Sequence, residues 1–300
     1  MSTRIKVLTS LVVLFGLTLI IFAITGSAGK NEGFAPVDEF RLEAWVPINE
    51  GGAVDLSITK AVLYLFLAAL LTVGSMLYVA NRMQAKPNRV QTAVESLYTL
   101  MRDNITRGNM DDAMARKWFP FIGTLFLFIW WSNLIGYVPL PTNTLHKVEV
   151  LGIELPTFAL YAATANISVP LVITLVVWFA YNIAGIRAKG FIPYIKGWVP
   201  AGSPGPLVVP IFIIEVISHF VRIISLSVRL FANILAGHLL ILFMGGGLAV
   251  LLGVAALGVI TAPIAIGFFM FEIVLIATLQ AFIFATLSAI YLGGAVAEEH

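Results

Sequence analysis

The sequence predicts an all-α polytopic membrane protein, and three observations support this class. Hydrophobic residues make up 59% of the 300-residue chain, whereas charged residues make up only 11%. Apolar runs recur along the chain, and they reach the roughly 20 residues that a transmembrane helix needs. The sequence lacks the short alternating segments of a transmembrane barrel. An ordinary soluble domain is therefore excluded, and the absence of cysteine excludes disulfides and thiolate metal sites.

The N-terminal region divides into two parts ahead of the membrane domain, which is expected over 58–300. Residues 1–26 hold an apolar stretch that begins after Arg4 and Lys6 and ends in small residues. This is the pattern of a cleavable signal peptide, but the stretch is also long enough for a retained first helix, which its length favours. Either interpretation places the polar and mostly acidic segment 27–57 outside the cytoplasm.

Positive charge in the connecting segments orients the first spans. Residues 61–81 form a span, and the basic, amphipathic stretch 82–117 after it is cytoplasmic by the positive-inside rule. The chain returns outward over 119–138 and forms an outer loop over 139–165. It then crosses inward again over 169–183.

The number of spans in the C-terminal half cannot be counted from hydropathy alone. A basic and then Pro/Gly-rich cytoplasmic segment, 187–206, precedes two apolar runs, 207–244 and 248–292. As helices these runs would be roughly 55 and 65 Å long at about 1.5 Å per residue. The hydrocarbon core is only about 30 Å thick. Either each run breaks into two spans, which Pro263 would permit, or the two form a steeply tilted hairpin.

A polar stripe follows one face of the first long run, because its members recur at steps of three or four residues. The stripe consists of Glu215, Ser218, Arg222, Ser225, Arg229 and Asn233. Arg229 is the most informative member, since an arginine at the centre of a bilayer helix costs roughly 2.5–3.5 kcal/mol on insertion scales. Such a residue usually faces a protein interior or a wet path. His238, nine residues farther on, points to the opposite side of the helix.

The second long run adds Glu272 and Gln280. A hairpin would bring Glu272 near His238, and a histidine and a carboxylate beside water can relay protons. Arg229 cannot relay, because it stays protonated, and a fixed positive charge beside proton carriers acts instead as an electrostatic gate. Gln280 is also compatible with simple packing between helices.

Three polar residues of the first long run can also be explained without a role in proton transfer. Glu215 and Arg222 lie seven residues apart on one face and could simply neutralise each other in a bundle. His219 lies off the stripe, near the cytoplasmic end, where a structural or interfacial role is expected. Glu215 and His219 are four residues apart, but the sequence offers no evident third ligand, so neither a metal nor another cofactor is expected.

Two further function classes compete with a proton path. A secondary transporter that uses Arg229 to bind an anion predicts broken helices in paired halves, and the sequence shows no internal repeat. An intramembrane hydrolase would need a His-Glu-x-x-His or Gly-x-Ser-x-Gly motif, and neither is present.

With these residues in view, the sequence resembles subunit a of the F-type ATP synthase, the stator part of its proton channel. The resemblance covers roughly residues 40–300. It rests on Ser225–Ser227 followed by Arg229-Leu230-Phe231-Ala232-Asn233 and Ala236-Gly237-His238, on 279–284, and on the terminal Glu298-Glu299-His300. Weaker support comes from 133–139 and 164–168, where Gly136 and Asn166 replace acidic residues found in other members.

The resemblance implies a fold and a mechanism. The fold has five family helices, with the long runs as the tilted hairpin, and a probable extra N-terminal helix or signal peptide. Arg229 would face the carboxylates of a rotating c-ring, keep each one ionised, and block a leak between two offset half-channels. The outer half-channel would be lined by Asn233, His238, Glu272 and Gln280. The cytoplasmic half-channel would be lined by Glu215 and Ser218. Glu272 departs from the family pattern, because it sits one residue farther from Gln280, a helical rotation of about 100°.

The resemblance also implies partners and a location. The chain would perform no bond chemistry and would work with protons, the c-ring, the b subunits of the peripheral stalk, the soluble catalytic head and the lipid bilayer. Nucleic acid is not an expected partner. The expected location is the bacterial plasma membrane, with the C-terminus in the cytoplasm.

Overall fold

Helices dominate the computed structural model, and five of them are long and apolar enough to cross a membrane. The predicted all-α membrane class is thereby confirmed. The structure describes residues 40–42, 44–48, 57–82, 88–150, 153–199, 203–247 and 255–297. The expectations for 1–26, for most of 27–57 and for the terminal motif at 298–300 lie outside these described residues.

The first span follows a short pair of antiparallel strands. Strand β1 covers Ala44–Val46 and β2 covers Ile58–Thr59. Helix α1 then runs over Lys60–Arg82, which agrees with the predicted span at 61–81. Its apolar side chains are largely exposed, as expected of a helix that meets lipid.

Within the predicted cytoplasmic, amphipathic stretch, the structure describes helices from residue 89 onward. Helix α2, Arg89–Thr99, begins at Asn88, whose side chain accepts a hydrogen bond from the Gln91 backbone N–H at 2.8 Å. It continues as a π-helix over Leu100–Arg107. The second span, helix α3, covers Asp112–Ile135.

The region predicted as an outer loop forms a strand pair. Strands β3, Leu140–Val150, and β4, Ile153–Ala159, are antiparallel, and Val150 pairs with Ile153 at the turn. A 3₁₀ turn at Ala163–Ala165 follows.

The third span and the link to the C-terminal half come next. Helix α4 covers Ser168–Lys189, with Arg187 and Lys189 in its last turn, where cations complement the helix dipole. The short helix α5, Phe191–Lys196, follows Gly190, whose φ of 86° favours glycine.

The first long run is one uninterrupted helix. Helix α6 covers Gly205–Leu242, 38 residues, and is therefore about 57 Å long. A break into two spans, one of the two alternatives for this run, is thus wrong. A helix of this length must tilt steeply to stay within a hydrocarbon core of about 30 Å.

The first long run ends in a π-turn at Phe243–Gly247, which loses helical geometry at Gly246. The described part of the second long run, from residue 255 onward, is helical with one π-turn. Helix α7 covers Ala255–Phe271 and passes through Pro263 without ending there. A π-turn at Glu272–Ile276 then leads into helix α8, Ala277–Val296.

The chain divides into two compact units. The first contains Met1–Arg41 and Ala236–Val274, and the second contains Leu42–Leu235 and Leu275–His300. The core of the second unit is built against a line of small residues on α8, which lets neighbouring helices approach closely. The fully buried members of this line are Ala277, Ala281, Ala285 and Ala289.

Each unit contains one contact between the two long runs. In the second unit the guanidinium of Arg222 lies 5.2 Å from the ring centroid of Tyr291. In the first unit Gly237 lies against Glu272.

Candidate functional site

Arg229 lies on the exposed face of α6. Leu226, Leu230 and Ile234, at steps of four, are buried. Arg229, directly before Leu230, and Asn233, directly before Ile234, are exposed. Helical geometry explains the split, because residues four apart share a face.

The exposed face around Arg229 is apolar and unpartnered by this chain. Ile224 and Val228 are exposed beside it. Among the described residues, Arg229 makes no hydrogen bond or ion pair. An unpaired guanidinium in the middle of a spanning helix needs water or an anionic partner from outside the chain.

Glu272 and His238 lie in the first unit, where both are buried. A Cβ added at Gly237 would overlap the carboxylate of Glu272, so this carboxylate occupies space that only a glycine leaves free. The ring of Phe40 meets the imidazole of His238 edge to face, with 6.4 Å between the centroids. The carboxylate therefore packs against the residue directly before His238.

The π-turn explains the unusual spacing between Glu272 and Gln280. A π-turn closes its hydrogen bonds between residues five apart and so takes in one residue more than an α-turn. The extra residue in the sequence is therefore absorbed at Glu272–Ile276, and no offset of 100° accumulates. Both side chains are buried. Sequence reasoning missed this turn because a uniformly apolar segment carries no signal for it.

Glu215 and Arg222 form an ion pair in the second unit, as their spacing predicts. The Nη2 of Arg222 donates to Oε1 of Glu215 at 2.9 Å. Ser218, between them on the same face, is half-buried. Nε2 of His219 lies 3.8 Å from the same carboxylate oxygen, so His219 belongs to this cluster.

A cavity of about 500 Å³ opens beside this ion pair. Its walls come from α4, α5, α6 and α8. Its polar lining consists of Tyr181, Lys189, Tyr194, Glu215, His219, Arg222 and Tyr291. Lys189 belongs to the segment that the positive-inside rule predicts to be cytoplasmic, so we expect the cavity on that side.

A buried hydrogen-bond chain fixes the weaker sequence motif around Asn133. Oγ1 of Thr164 donates to Oδ1 of Asn133 at 2.8 Å, and Nδ2 of Asn133 donates to the carbonyl of Ala277 at 3.4 Å. These bonds tie α3 and the 3₁₀ turn to the first residue of α8. The motif therefore anchors the helix that carries Gln280.

No group of three His, Cys, Asp or Glu residues within the described ranges is placed to hold a metal ion. The candidate residues include carboxylates and imidazoles, which can exchange protons, and arginines, which stay protonated.

Comparisons with known proteins find relatives over most of the chain. The profile of a family described as the ATP synthase A chain matches residues 62–293. An ATP synthase subunit a from Rubrobacter xylanophilus is 35% identical over 252 residues, which cover 83% of this chain and 88% of the relative. One from Rhizobium rhizogenes is 33% identical over 267 residues, covering 87% and 96%. One from Parvibaculum lavamentivorans is 32% identical over 289 residues, covering 92% and 99%.

Proposed function

This chain belongs to the ATP synthase A chain family, and on that premise we propose which of its residues carry and gate protons. The chain is a membrane-sector subunit of the F-type ATP synthase that translocates protons in partnership with the c-ring. It is a multi-pass protein of the bacterial plasma membrane.

Arg229 is the residue that faces the c-ring carboxylates. The observation that carries this assignment is its unpaired guanidinium on the exposed, apolar face of a spanning helix. A nearby positive charge favours the ionised form of a carboxylate, so each ring carboxylate releases its proton as it reaches Arg229. The guanidinium cannot carry that proton across, because it does not deprotonate in proteins. It therefore separates two aqueous paths.

The outer half-channel uses polar residues of the two long C-terminal runs. His238 and Glu272, both buried, are the proton-exchanging groups, and the buried Gln280 and the exposed Asn233 supply polar lining. The close packing of Glu272 on Gly237 supports this role, since it brings a carboxylate to the residue next to an imidazole.

The cytoplasmic half-channel uses the cavity beside α6. Glu215 offers a carboxylate that is 30% exposed in its side chain, and Ser218 lies one turn farther along the same face. Because the two half-channels are offset, a proton leaves only after the ring has carried it round. Each proton that moves through about 100 mV supplies roughly 2.3 kcal/mol to that rotation.

The finer features of the assembly follow from the same assignment. The chain itself makes and breaks no bonds, and catalysis resides in the soluble head. The b subunits of the peripheral stalk hold the chain against rotation, residues 58–300 form the membrane domain, and the C-terminus is cytoplasmic. The uninterrupted α6 speaks against an anion transporter, which would place its site at broken helices.

The test is proton-driven ATP synthesis in membrane vesicles with Arg229→Ala at equal complex assembly. We expect synthesis to be lost, while passive proton leak is retained or increased once the soluble head is stripped. Arg116→Ala is the matched control, because Arg116 is exposed at the cytoplasmic end of α3 and has no assigned role. Undiminished synthesis in Arg229→Ala would remove the assignment and favour the anion-transport alternative.

A further inference from the structure

We propose that His219 is a proton-exchanging residue of the cytoplasm-facing cavity, which shares a proton with Glu215. The inference rests on the proposed function of that cavity and adds a residue that lies outside the polar stripe. The polar stripe supplies the cavity lining with the carboxylate of Glu215 and the guanidinium of Arg222, whereas His219 supplies a second titratable group.

The imidazole of His219 is held in one orientation. The residue is 4% exposed. Its ring stacks on Trp198, with 4.2 Å between the centroids and 28° between the planes. The ring of Tyr181 lies nearly parallel to it, with 5.8 Å between the centroids. Such a packed ring cannot rotate freely, so its two nitrogens keep their separate neighbours.

Each nitrogen has a chemically suitable neighbour. Nδ1 lies 3.0 Å from the hydroxyl of Tyr181, and Nε2 lies 3.8 Å from Oε1 of Glu215. In the neutral tautomer that donates from Nδ1–H to the phenol oxygen, Nε2 holds a lone pair that faces the carboxyl group. When Nε2 also gains a proton, Nδ1 still donates to the phenol oxygen and Nε2–H faces the carboxylate. Both protonation states are thus satisfied without a rearrangement of the cluster.

The charges around the cavity favour brief occupancy of the imidazolium. Glu215 attracts a proton to His219, while Arg222 opposes it and also holds Glu215 in an ion pair at 2.9 Å. Lys189 lines the same cavity and adds positive charge. Burial of the ring also opposes its charged form, so His219 is neutral at rest and becomes charged only briefly, while it exchanges a proton with Glu215.

The exposures define the route between water and the imidazole. The side chain of Glu215 is 30% exposed to the cavity, whereas that of His219 is only 6% exposed. Protons therefore reach His219 through Glu215 rather than directly. The proton is taken up at Nε2 from the Glu215 carboxyl and returned to it, so the exchange balances without any other reactant. A histidine with a purely structural role would not need its second nitrogen aimed at this wetted carboxylate.

The experiment measures ATP-driven proton pumping by the intact complex in inverted vesicles, where the cytoplasmic face meets the bath. The bath is varied between about pH 5 and 8, the interval in which an unperturbed imidazole changes charge. We expect His219→Gln, which keeps a polar side chain but cannot titrate, to flatten the pH profile. We expect the maximal rate to fall about fivefold, less than the roughly 10²–10⁴ of an irreplaceable acid–base group, because Glu215 remains.

A matched control variant and a second measurement allow the inference to be disproved even if His219→Gln does not assemble. Ser227→Ala is the control, since Ser227 is buried on α6 and bonds only to the carbonyls of its own helix. If His219→Gln fails to assemble, the intact complex labelled with ¹⁵N-histidine is titrated by solid-state NMR. The chain has four histidines, so the signal of His219 is assigned by substituting the other three. We expect it to change protonation state within the same pH interval.

The outcomes separate this inference from the function on which it rests. A parental pH profile in His219→Gln, or an imidazole that stays in one state throughout, would overturn the role of His219. If Arg229→Ala also abolishes synthesis, only the present inference has failed. If Arg229→Ala leaves synthesis intact, the proposed function itself has failed, whatever His219 does.

Discussion

The two carboxylates proposed for the proton path are held in opposite ways. Glu272 is 7% exposed and fills the space that Gly237 leaves open. Glu215 instead borders a cavity of about 500 Å³ and is fixed by an ion pair with Arg222. The outer carboxylate is therefore positioned by packing, and the inner one by charge and water. Changes of volume should affect the first most, and changes of charge the second.

The largest effect is expected for Gly237→Ala. The added methyl group overlaps the Glu272 carboxylate, which must move, and a displacement of about 1 Å at a reacting group can cost roughly 10²-fold in rate. We expect proton-driven synthesis to fall by about that factor at equal assembly.

Gly267→Ala is the matched control for this substitution. Gly267 lies in α7, and a methyl group there meets nothing within 4 Å. Alanine also favours a helix over glycine, so the control should keep or slightly raise stability. Near-parental synthesis in Gly237→Ala would show that Glu272 is not positioned by this packing, and would contradict the distinction between the two carboxylates.

A second, smaller difference is expected between Glu272→Gln and Glu215→Gln. Both substitutions keep the shape and remove the titratable group. Loss at the buried position leaves His238 without its carboxylate, and we expect synthesis to fall about tenfold, less than the roughly 10²–10⁴ of an irreplaceable acid–base group because His238 remains. Loss at the cavity leaves water as the alternative but also removes the route to His219, so we expect a decrease of about fivefold, as in His219→Gln. Equal losses measured in the same vesicle assay would contradict the distinction between a packed and a wetted carboxylate.

The sequence predicts the parts of this site that depend on helical spacing. The polar stripe and the Glu215–Arg222 pair follow from steps of three, four or seven on one long helix. The contacts that hold Glu272 and His219 could not be predicted this way, because their partners are distant in sequence. Tyr181, for example, precedes His219 by 38 residues.

Two elements of the fold also escaped sequence reasoning, for different physical reasons. The π-turn at Glu272–Ile276 lies in a run so uniformly apolar that no period distinguishes one helical face from another. The strand pair β3–β4 falls in a stretch predicted as loop, because its pairing depends on register across a turn rather than on hydropathy.

The next expectation concerns Arg222→Gln, which tests charge at the inner carboxylate without changing volume greatly. Both partners of the pair are 30% exposed, so the lost attraction is screened and global stability should change by less than about 1 kcal/mol. Without its cation, the Glu215 carboxylate loses the ion pair that holds it at the cavity. We therefore expect the pH profile of ATP-driven pumping to differ from that of the parent, whereas denaturation midpoints stay nearly constant. An unchanged pH profile would mean that Arg222 does not control the inner carboxylate.

The smallest effect is expected at the arginine cluster that precedes α3. The pKa of Asp103 is lowered, chiefly by a hydrogen bond from Arg102, with attraction from Arg107 adding to it. An aspartate whose folded-state pKa is depressed stabilises the fold above its ordinary pKa of about 3.9. That contribution is lost as the pH falls through the lowered value.

Asp103→Asn should therefore leave the pumping profile between about pH 5 and 8 unchanged, because Asp103 is ionised throughout that interval. The complex should be slightly less stable than the parent above about pH 4, and this difference should disappear as the pH falls further; it stays small because the cluster is solvent-exposed. Paired pH titrations of pumping and of thermal unfolding check both statements. A changed profile near neutral pH would mean that the cytoplasmic arginine cluster, and not only the cavity beside α6, takes part in proton release.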